Sequence, residues 1–317
     1  MSKTPFSLWI DYLDRDFIVG DLPEYLRRGA RGVTTNPAIF KQAIVGKDSY
    51  KTQIERLKGA GVLGKRLYEA LAIADAQNAA DALKPYFDGQ DGFVSIEVDP
   101  AFAYDAPSAI EEARRLHKAI GRENVMIKIP ATNEGVIAIK ELLKLGIPTN
   151  ATLVFSTDQT RKLLSAAKGS QTPLVISVFV SRFDREIDER LPKELRAKTG
   201  IINAANHYNM IANADGKNVR ALFASTGVKG GGLSADYYIR ELLGDNLINT
   251  APLTAIDAFL ASGDRENRLP IAPEKIAAFF GELDAKGIDF ERLCDKLLAE
   301  GLALFERAFS DIILTLA

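Results

Sequence analysis

The sequence is poor in the residues that build disulfides and metal centres. It has one cysteine, Cys294, and two histidines, His117 and His207, in 317 residues. One cysteine makes no internal disulfide, which fits a reducing compartment, and so little thiol and imidazole makes a zinc site a poor expectation. Charge of one sign does not dominate: 40 Lys and Arg face 42 Asp and Glu, for a formal net charge of −2. With no basic tract and no basic stretch interleaved with aromatics, a nucleic-acid partner is not expected. No apolar run approaches the length of a membrane span, and the first residues lack a charged-then-apolar leader. The expectations are therefore no membrane partner and a cytoplasmic location. A Gly-x-Gly-x-x-Gly after the first apolar run, the mark of a dinucleotide fold, is missing. Internal repeats and low-complexity linkers are missing as well.

What is present is a rhythm. With 47% hydrophobic and 26% charged residues the chain has the composition of an ordinary globular protein. Eight short apolar runs recur, over 7–12, 32–35, 92–98, 125–130, 151–156, 174–180, 220–225 and 247–253. Helical patterns follow most of them, over 106–120, 134–145, 157–167 and 181–191. In 134–145 the apolar residues Val136, Ile137, Ile139, Leu142 and Leu143 keep helical spacing, and Gly146 supplies a stop. Strand and helix in alternation imply parallel βαβ units, and eight of them predict an α/β fold, a (β/α)8 TIM barrel. The doubly wound open sheet is the competing fold. Residues 37–90 exceed one crossover and are expected to hold two or three extra helices. The tail 272–317 reads as helical, with an apolar face that includes Phe279, Phe280, Leu297 and Phe305. Residues 1–317 are read as one catalytic barrel domain that includes these C-terminal helices.

One run breaks the apolar pattern. In Val125-Met-Ile-Lys-Ile-Pro130 a lysine, Lys128, sits among residues that mark a buried strand. A buried ammonium without a partner costs several kcal/mol. A lysine that bears this cost is often one whose free amine attacks a carbonyl. The alternative is an edge strand with Lys128 turned to water.

A barrel gathers its working groups at the C-terminal ends of its strands. Seven runs carry unusual polar residues there. They are Asp11; Thr34, Thr35 and Asn36; Glu97; Lys128 with Thr132 and Asn133 beyond; Thr152 in the fifth run, which Asn150 precedes; Ser177 with Arg182 beyond; and Ser225, which leads into Thr226-Gly-Val-Lys-Gly-Gly-Gly232. Each has a plainer reading. Asp11 can cap a helix, Asn36-Pro37 can be a turn, and Arg182 can pair with Asp184 or Glu186. Their recurrence at matched positions favours a site.

Gly32-Val-Thr-Thr-Asn-Pro-Ala-Ile-Phe40 and Val125-Met-Ile-Lys-Ile-Pro-Ala-Thr-Asn-Glu-Gly135 closely resemble the two signature segments of the transaldolase family. The resemblance extends through 93–98, 150–156 and 176–182, and from Leu8 to the C-terminal helices, in the manner of a longer bacterial subgroup. It implies a TIM barrel that needs no cofactor. The reaction it implies moves a dihydroxyacetone unit from a ketose phosphate to an aldose phosphate, such as sedoheptulose 7-phosphate to glyceraldehyde 3-phosphate, in the pentose phosphate pathway. By the same resemblance Lys128 attacks the ketose carbonyl, as a neutral amine favoured by burial. Glu97 is the acid, working through a water that Thr152 also holds, and Asp11 is the base for carbon–carbon cleavage. Asn36, Asn150 and Ser177 match residues that hold the dihydroxyacetone hydroxyls and the lysine. Arg182 matches a phosphate-binding arginine, and Ser225 matches a serine on the seventh strand. Many family members have a second arginine just after that serine. This chain has Lys229 nearby instead, with glycines whose amides can approach a phosphate. A phenylalanine at the place of Phe179 marks transfer, whereas a tyrosine marks the related fructose-6-phosphate aldolases, which release free dihydroxyacetone. The partners implied are phosphorylated sugars, and the protein is either a monomer or a homodimer. A lyase on the same scaffold and a non-catalytic sugar-phosphate-binding barrel are the remaining alternatives. Cys294 is read as core packing.

Overall fold

Short runs of branched and aromatic residues, each bounded by polar turns, become strands because one face of each is buried between barrel and helices and the other inside the barrel. The computed structural model describes residues 6–229 and 232–317. Eight parallel strands close into a barrel in the order of the chain. They are β1 (Phe6–Ile10), β2 (Ala30–Thr34), β3 (Phe93–Glu97), β4 (Val125–Pro130), β5 (Thr149–Val154), β6 (Leu174–Phe179), β7 (Val219–Ala224) and β8 (Leu247–Ala251). The predicted TIM barrel is the fold observed.

Helices fill the gaps between strands. The β1–β2 connection holds α1 (Arg15–Val19) and α2 (Leu22–Arg27). The long β2–β3 connection holds α3 (Pro37–Gly46), α4 (Lys51–Gly59) and α5 (Gly64–Leu83), which matches the expected insertion. Then follow α6 (Ala106–Ile120), α7 (Asn133–Lys144), α8 (Thr157–Ala167), α9 (Ser181–Ile187), α10 (Thr199–Ala212), α11 (Tyr237–Glu241) and α12 (Leu253–Ser262). The tail folds as α13 (Pro273–Ala285) and α14 (Phe290–Thr315). None of the described helices is long and apolar enough to cross a membrane.

Most boundaries shift by one or two residues, and two differences bear on the site. The fifth strand begins at Thr149 and not at 151, so Asn150 lies within it. Its Pro-Thr-Asn start has turn composition, and only pairing with β4 and β6 makes it a strand. The helix expected over 181–191 ends at Ile187 and tightens into a 3-10 turn over Asp188–Arg190, just before Pro192.

The pleat sorts side chains into layers. Outward residues such as Leu8, Ile10, Val33, Val94, Ile96, Ile127 and Ile129 pack under the helices. Inside the barrel, Trp9, Phe93, Met126, Val175, Leu222 and Ile248 form an apolar floor. Beneath that floor Trp9 Nε1 donates to Asp91 at 2.8 Å, and Arg220 reaches Ser7 Oγ at 3.1 Å and Asp91 at 3.4 Å. Polar residues therefore stand above a sealed base. At the other end α14 lies against α3 and α5. Lys41, a charge flanking the first signature segment, pairs with Asp311 of α14 at 2.6 Å. Cys294 is buried in the inner cluster, as expected.

Gly32 is required by the floor. A Cβ there would lie 2.4–2.7 Å from the Trp9 ring, which Asp91 holds in place. Gly32→Ala should cost about 1–3 kcal/mol of stability, the usual range for overpacking a core. Urea unfolding measures this, and a loss below about 0.5 kcal/mol, the range of neutral surface changes, would show that the ring gives way.

Candidate active site

The parallel register builds the site. Glu97 pairs with Lys128 across β3–β4, and Lys128 pairs with Asn150 across β4–β5. All three sit above the apolar floor, and each is buried. Lys128 is 5% exposed and does not lie on a sheet edge, since the barrel has none. Its Nζ donates to the Thr35 carbonyl at 2.9 Å, stands 3.3 Å from Glu97 Oε2, and lies 5.5 Å from the centre of the Phe305 ring. The carbonyl is available because the chain leaves β2 here and turns into α3.

Glu97 is 6% exposed, and among the described residues neither carboxyl oxygen has a hydrogen-bond partner. Burial pushes its pKa up to about 7, although the charge of Lys128 opposes the rise. Thr152 Oγ1 is also buried without a hydrogen-bond partner. Orphan oxygens of this kind call for water or substrate. Thr152 sits on a distortion. The β5–β6 register shifts between Ala151 and Val154, and Leu153 has φ of 55°, a left-handed value rare outside glycine. Gln159, the third residue of α8, holds the kink. Its Oε1 accepts from the Phe155 and Ser156 amides at 2.8 and 2.9 Å. Its Nε2 donates to the carbonyls of Leu153 and Ala131 at 3.0 and 2.9 Å. One buried amide thus ties the ends of β4 and β5 together.

Asp11 follows β1 directly and is anchored by its amide to the Ala251 carbonyl at 2.8 Å. Thr34 Oγ1 donates to Asp11 Oδ1 at 2.8 Å, and the hydroxyls of Thr34 and Thr250 are 2.6 Å apart. Burial raises the Asp11 pKa, with Lys128 and Thr34 pulling the other way. Asn150 Nδ2 donates to Ser95 Oγ at 3.0 Å, and Ser177 Oγ donates to Asn150 Oδ1 at 2.6 Å. This chain of hydrogen bonds fixes the amide's orientation. Asn36 Oδ1 caps α3 by accepting from the Ile39 amide at 3.1 Å, which leaves its amide protons for a ligand.

A cavity of about 1160 Å³ opens above these groups, and Asp11, Asn36, Lys128, Ser177, Phe179 and Arg182 line it. Arg182 lies over the Phe179 ring at 5.1 Å. Burial, and next Arg185, lower its pKa to about 10. Among the described residues Arg182 has no ion-pair partner, so the plainer reading, a pairing with Asp184 or Glu186, is not the arrangement found. Asp184 turns away to the Tyr238 hydroxyl and the Gly200 amide, and Glu186 pairs with Lys296. Ser225 has φ of 56° and its hydroxyl is 3.1 Å from that of Ser181. Lys229 is exposed at the cavity wall. Of the glycines after it, Gly230 and Gly231 lie outside the described residues.

The structure therefore brings Asp11, Asn36, Lys128, Ser177, Phe179, Arg182, Ser225 and Lys229 to one cavity. Glu97, Asn150 and Thr152 are packed in the ring around Lys128. Phe305 of α14 was read only as part of the apolar face of the tail, and several other participants were not foreseen: Thr250 from the eighth strand, Ser95, Gln159, and Gly301 from α14. A Cβ at Gly301 would lie 2.8 Å from Leu153 and 3.2 Å from Arg182. None of these carries a local signal, since each matters through a contact distant in sequence. No cluster of three or more His, Cys, Asp and Glu suited to a metal occurs among the described residues.

An amine beside a carboxylic acid, with a second carboxyl and a cationic far end, suits Schiff-base chemistry on a phosphorylated carbonyl compound. The sequence profile of the family described as Transaldolase/Fructose-6-phosphate aldolase matches residues 8–316. A transaldolase of Helicobacter pylori (strain Shi470) is 46% identical over 312 residues, which cover 97% of this chain and 98% of its own length. A transaldolase of Campylobacter jejuni subsp. jejuni (strain 81-176) is 43% identical, covering 97% of this chain and 98% of its own. The chain belongs to the transaldolase/fructose-6-phosphate aldolase family.

Proposed function

We propose that this enzyme is a transaldolase that carries a dihydroxyacetone unit on Lys128 between ketose and aldose phosphates. The observation that carries the assignment of roles is the buried pair of Lys128 and Glu97, 3.3 Å apart. Movement of one proton from Lys128 to Glu97 leaves an amine and a carboxylic acid. Those are the two forms that imine formation needs, and a neutral pair is less costly to bury than an ionic one.

The amine attacks the ketose carbonyl. The carbinolamine then loses water, and Glu97 supplies the proton through a water that also meets Thr152 Oγ1; the unpaired oxygens of both residues support this relay. The resulting iminium draws electrons from the adjacent carbon–carbon bond. Asp11, whose proton affinity burial raises, takes the proton of the hydroxyl on the carbon that departs. That carbon leaves as an aldehyde, and an enamine stays on Lys128. Asn150, fixed by Ser95 and Ser177, and the free amide protons of Asn36 hold the hydroxyls of the bound unit. Phe305 and the rest of α14 limit water at the enamine, so that it persists until a second aldehyde arrives. The steps then run in reverse. Arg182, on its aromatic support and without an ion-pair partner among the described residues, takes the phosphate, with Lys229 and Ser225 beside it.

Phe179 supports transfer over lysis, because a ring under Arg182 brings no hydroxyl to order a hydrolytic water. The test is incubation with fructose 6-phosphate, with and without erythrose 4-phosphate. Product should form only with the acceptor and vanish in Lys128→Met. Turnover without the acceptor would make the protein a lyase, and no turnover in either mixture would leave a sugar-phosphate-binding barrel.

The rate should fall as pH rises through about 7, because Glu97 then loses the proton that it must donate. Glu97→Gln should lower kcat by about 100-fold or more, within the range of general acid catalysis, and remove that limb from the pH profile. Arg182→Ala should raise KM for fructose 6-phosphate by about 10- to 100-fold, as expected for losing a charged hydrogen bond, with a smaller change in kcat. An unchanged KM would place the phosphate elsewhere.

A further inference from the structure

Asp11 is held to the eighth strand twice. Its amide donates to the Ala251 carbonyl at 2.8 Å. Its side chain reaches β8 through two hydroxyls, from Oδ1 to Thr34 Oγ1 at 2.8 Å and on to Thr250 Oγ1 at 2.6 Å. Thr34 belongs to β2 and Thr250 to β8, so the link spans β1, which lies between them. Thr250 stands in register with Trp9 of the floor, two residues before Asp11 in the chain. Asp11, Thr34 and Thr250 all border the substrate cavity.

The direction of this chain follows from a count of protons. A hydroxyl has one proton to give and two lone pairs. Thr34 gives its proton to the Asp11 carboxylate. The proton between Thr34 and Thr250 is therefore that of Thr250. The two threonines are 1% and 2% exposed, and a buried hydroxyl without a partner is costly. Thr34 Oγ1 is the one hydrogen-bond partner of the Thr250 hydroxyl among the described residues. A valine of nearly the same shape would suit this strand position with no polar group to satisfy. The backbone at Thr250 is pinned as well, since its carbonyl accepts from Thr226 Oγ1 at 2.8 Å.

We propose that Thr250 is a positioning residue for the base: through Thr34 it fixes the Asp11 carboxyl so that Oδ2, and not Oδ1, takes the substrate proton. The inference rests on the reading of Asp11 as the base for carbon–carbon cleavage. Oδ1 is occupied as an acceptor, and Oδ2 has no hydrogen-bond partner among the described residues. The terminal torsion of an aspartate is soft, so a carboxyl held at neither oxygen would turn. Donation from Thr250 polarises the Thr34 hydroxyl and strengthens its hold on Oδ1.

In the cleavage step the departing hydroxyl gives its proton to Oδ2. The electrons of its O–H bond form the carbonyl of the leaving aldehyde, and those of the carbon–carbon bond move toward the iminium nitrogen to give the enamine. The hydroxyl chain keeps its direction throughout, because Oδ1 never takes the proton. Imine formation calls on Lys128 and Glu97 and not on Asp11, so loss of the chain slows one step and spares the other.

The test mixes the protein with fructose 6-phosphate, quenches with borohydride at successive times and weighs the adduct on Lys128. A six-carbon phosphate adduct reports imine formation, and its replacement by a three-carbon adduct reports cleavage. In Thr250→Val the first should appear at the parental rate and the second about 3- to 10-fold more slowly, the effect of one hydrogen bond. Thr250→Ser keeps the hydroxyl and should restore the parental rate. Thr250→Ala, which cannot overpack, should repeat the defect. Cleavage at the parental rate in the Val and Ala variants, an equal slowing of both steps, or no rescue by Ser would overturn the proposal. Cleavage at the parental rate in Asp11→Asn would instead defeat the assignment of the base, and the proposal with it.

Discussion

A lysine and a glutamate on adjacent strands, both inside a protein, set the terms for the rest of the structure. Taken as ions, Lys128 and Glu97 each bear a desolvation cost of several kcal/mol, which their attraction offsets only in part. The fold answers with the Thr35 carbonyl on the amine and a raised proton affinity on the acid. It also sets the Phe305 ring of α14 beside the amine and an apolar floor below. A barrel suits this because it has no edge. Any residue that points inward from one of its strands is surrounded by the other strands, so reactive groups can be buried without a lid.

The same constraint explains the strain near the site. A regular fifth strand would alternate its side chains without interruption. The left-handed Leu153 and the shifted register next to Thr152 break that alternation, and Gln159 satisfies the backbone groups that the kink releases. Non-glycine residues with positive φ cost free energy and persist where their surroundings impose them. Ser225, on the cavity wall, is a second example. Both lie at the ends of strands whose side chains face the cavity, where the backbone is already leaving the sheet.

Much of this could be read from the chain. Eight apolar runs separated by helical patterns indicate the barrel, because burial on both faces writes strands as short continuous runs. Lys128 stands out because an ammonium in such a run is costly. Asp11, Glu97, Thr152 and Ser177 follow once the strand ends are placed. Legibility stops where meaning depends on long-range contact. Asn150 was placed ahead of its strand because Pro-Thr-Asn has the composition of a turn. Thr250 resembles any threonine in a strand until Thr34 is found 2.6 Å away. Gly301 is a helical glycine whose reason is the approach of Leu153 and Arg182.

The most direct measurement is reductive trapping. Borohydride added to the protein with fructose 6-phosphate would convert the imine to a stable amine, and peptide mass analysis would locate it. A three-carbon adduct confined to Lys128 is the result that the buried pair predicts. Turnover with no trapped adduct, or an adduct on another lysine, would contradict it, and the cost of burying Lys128 would then need a different explanation.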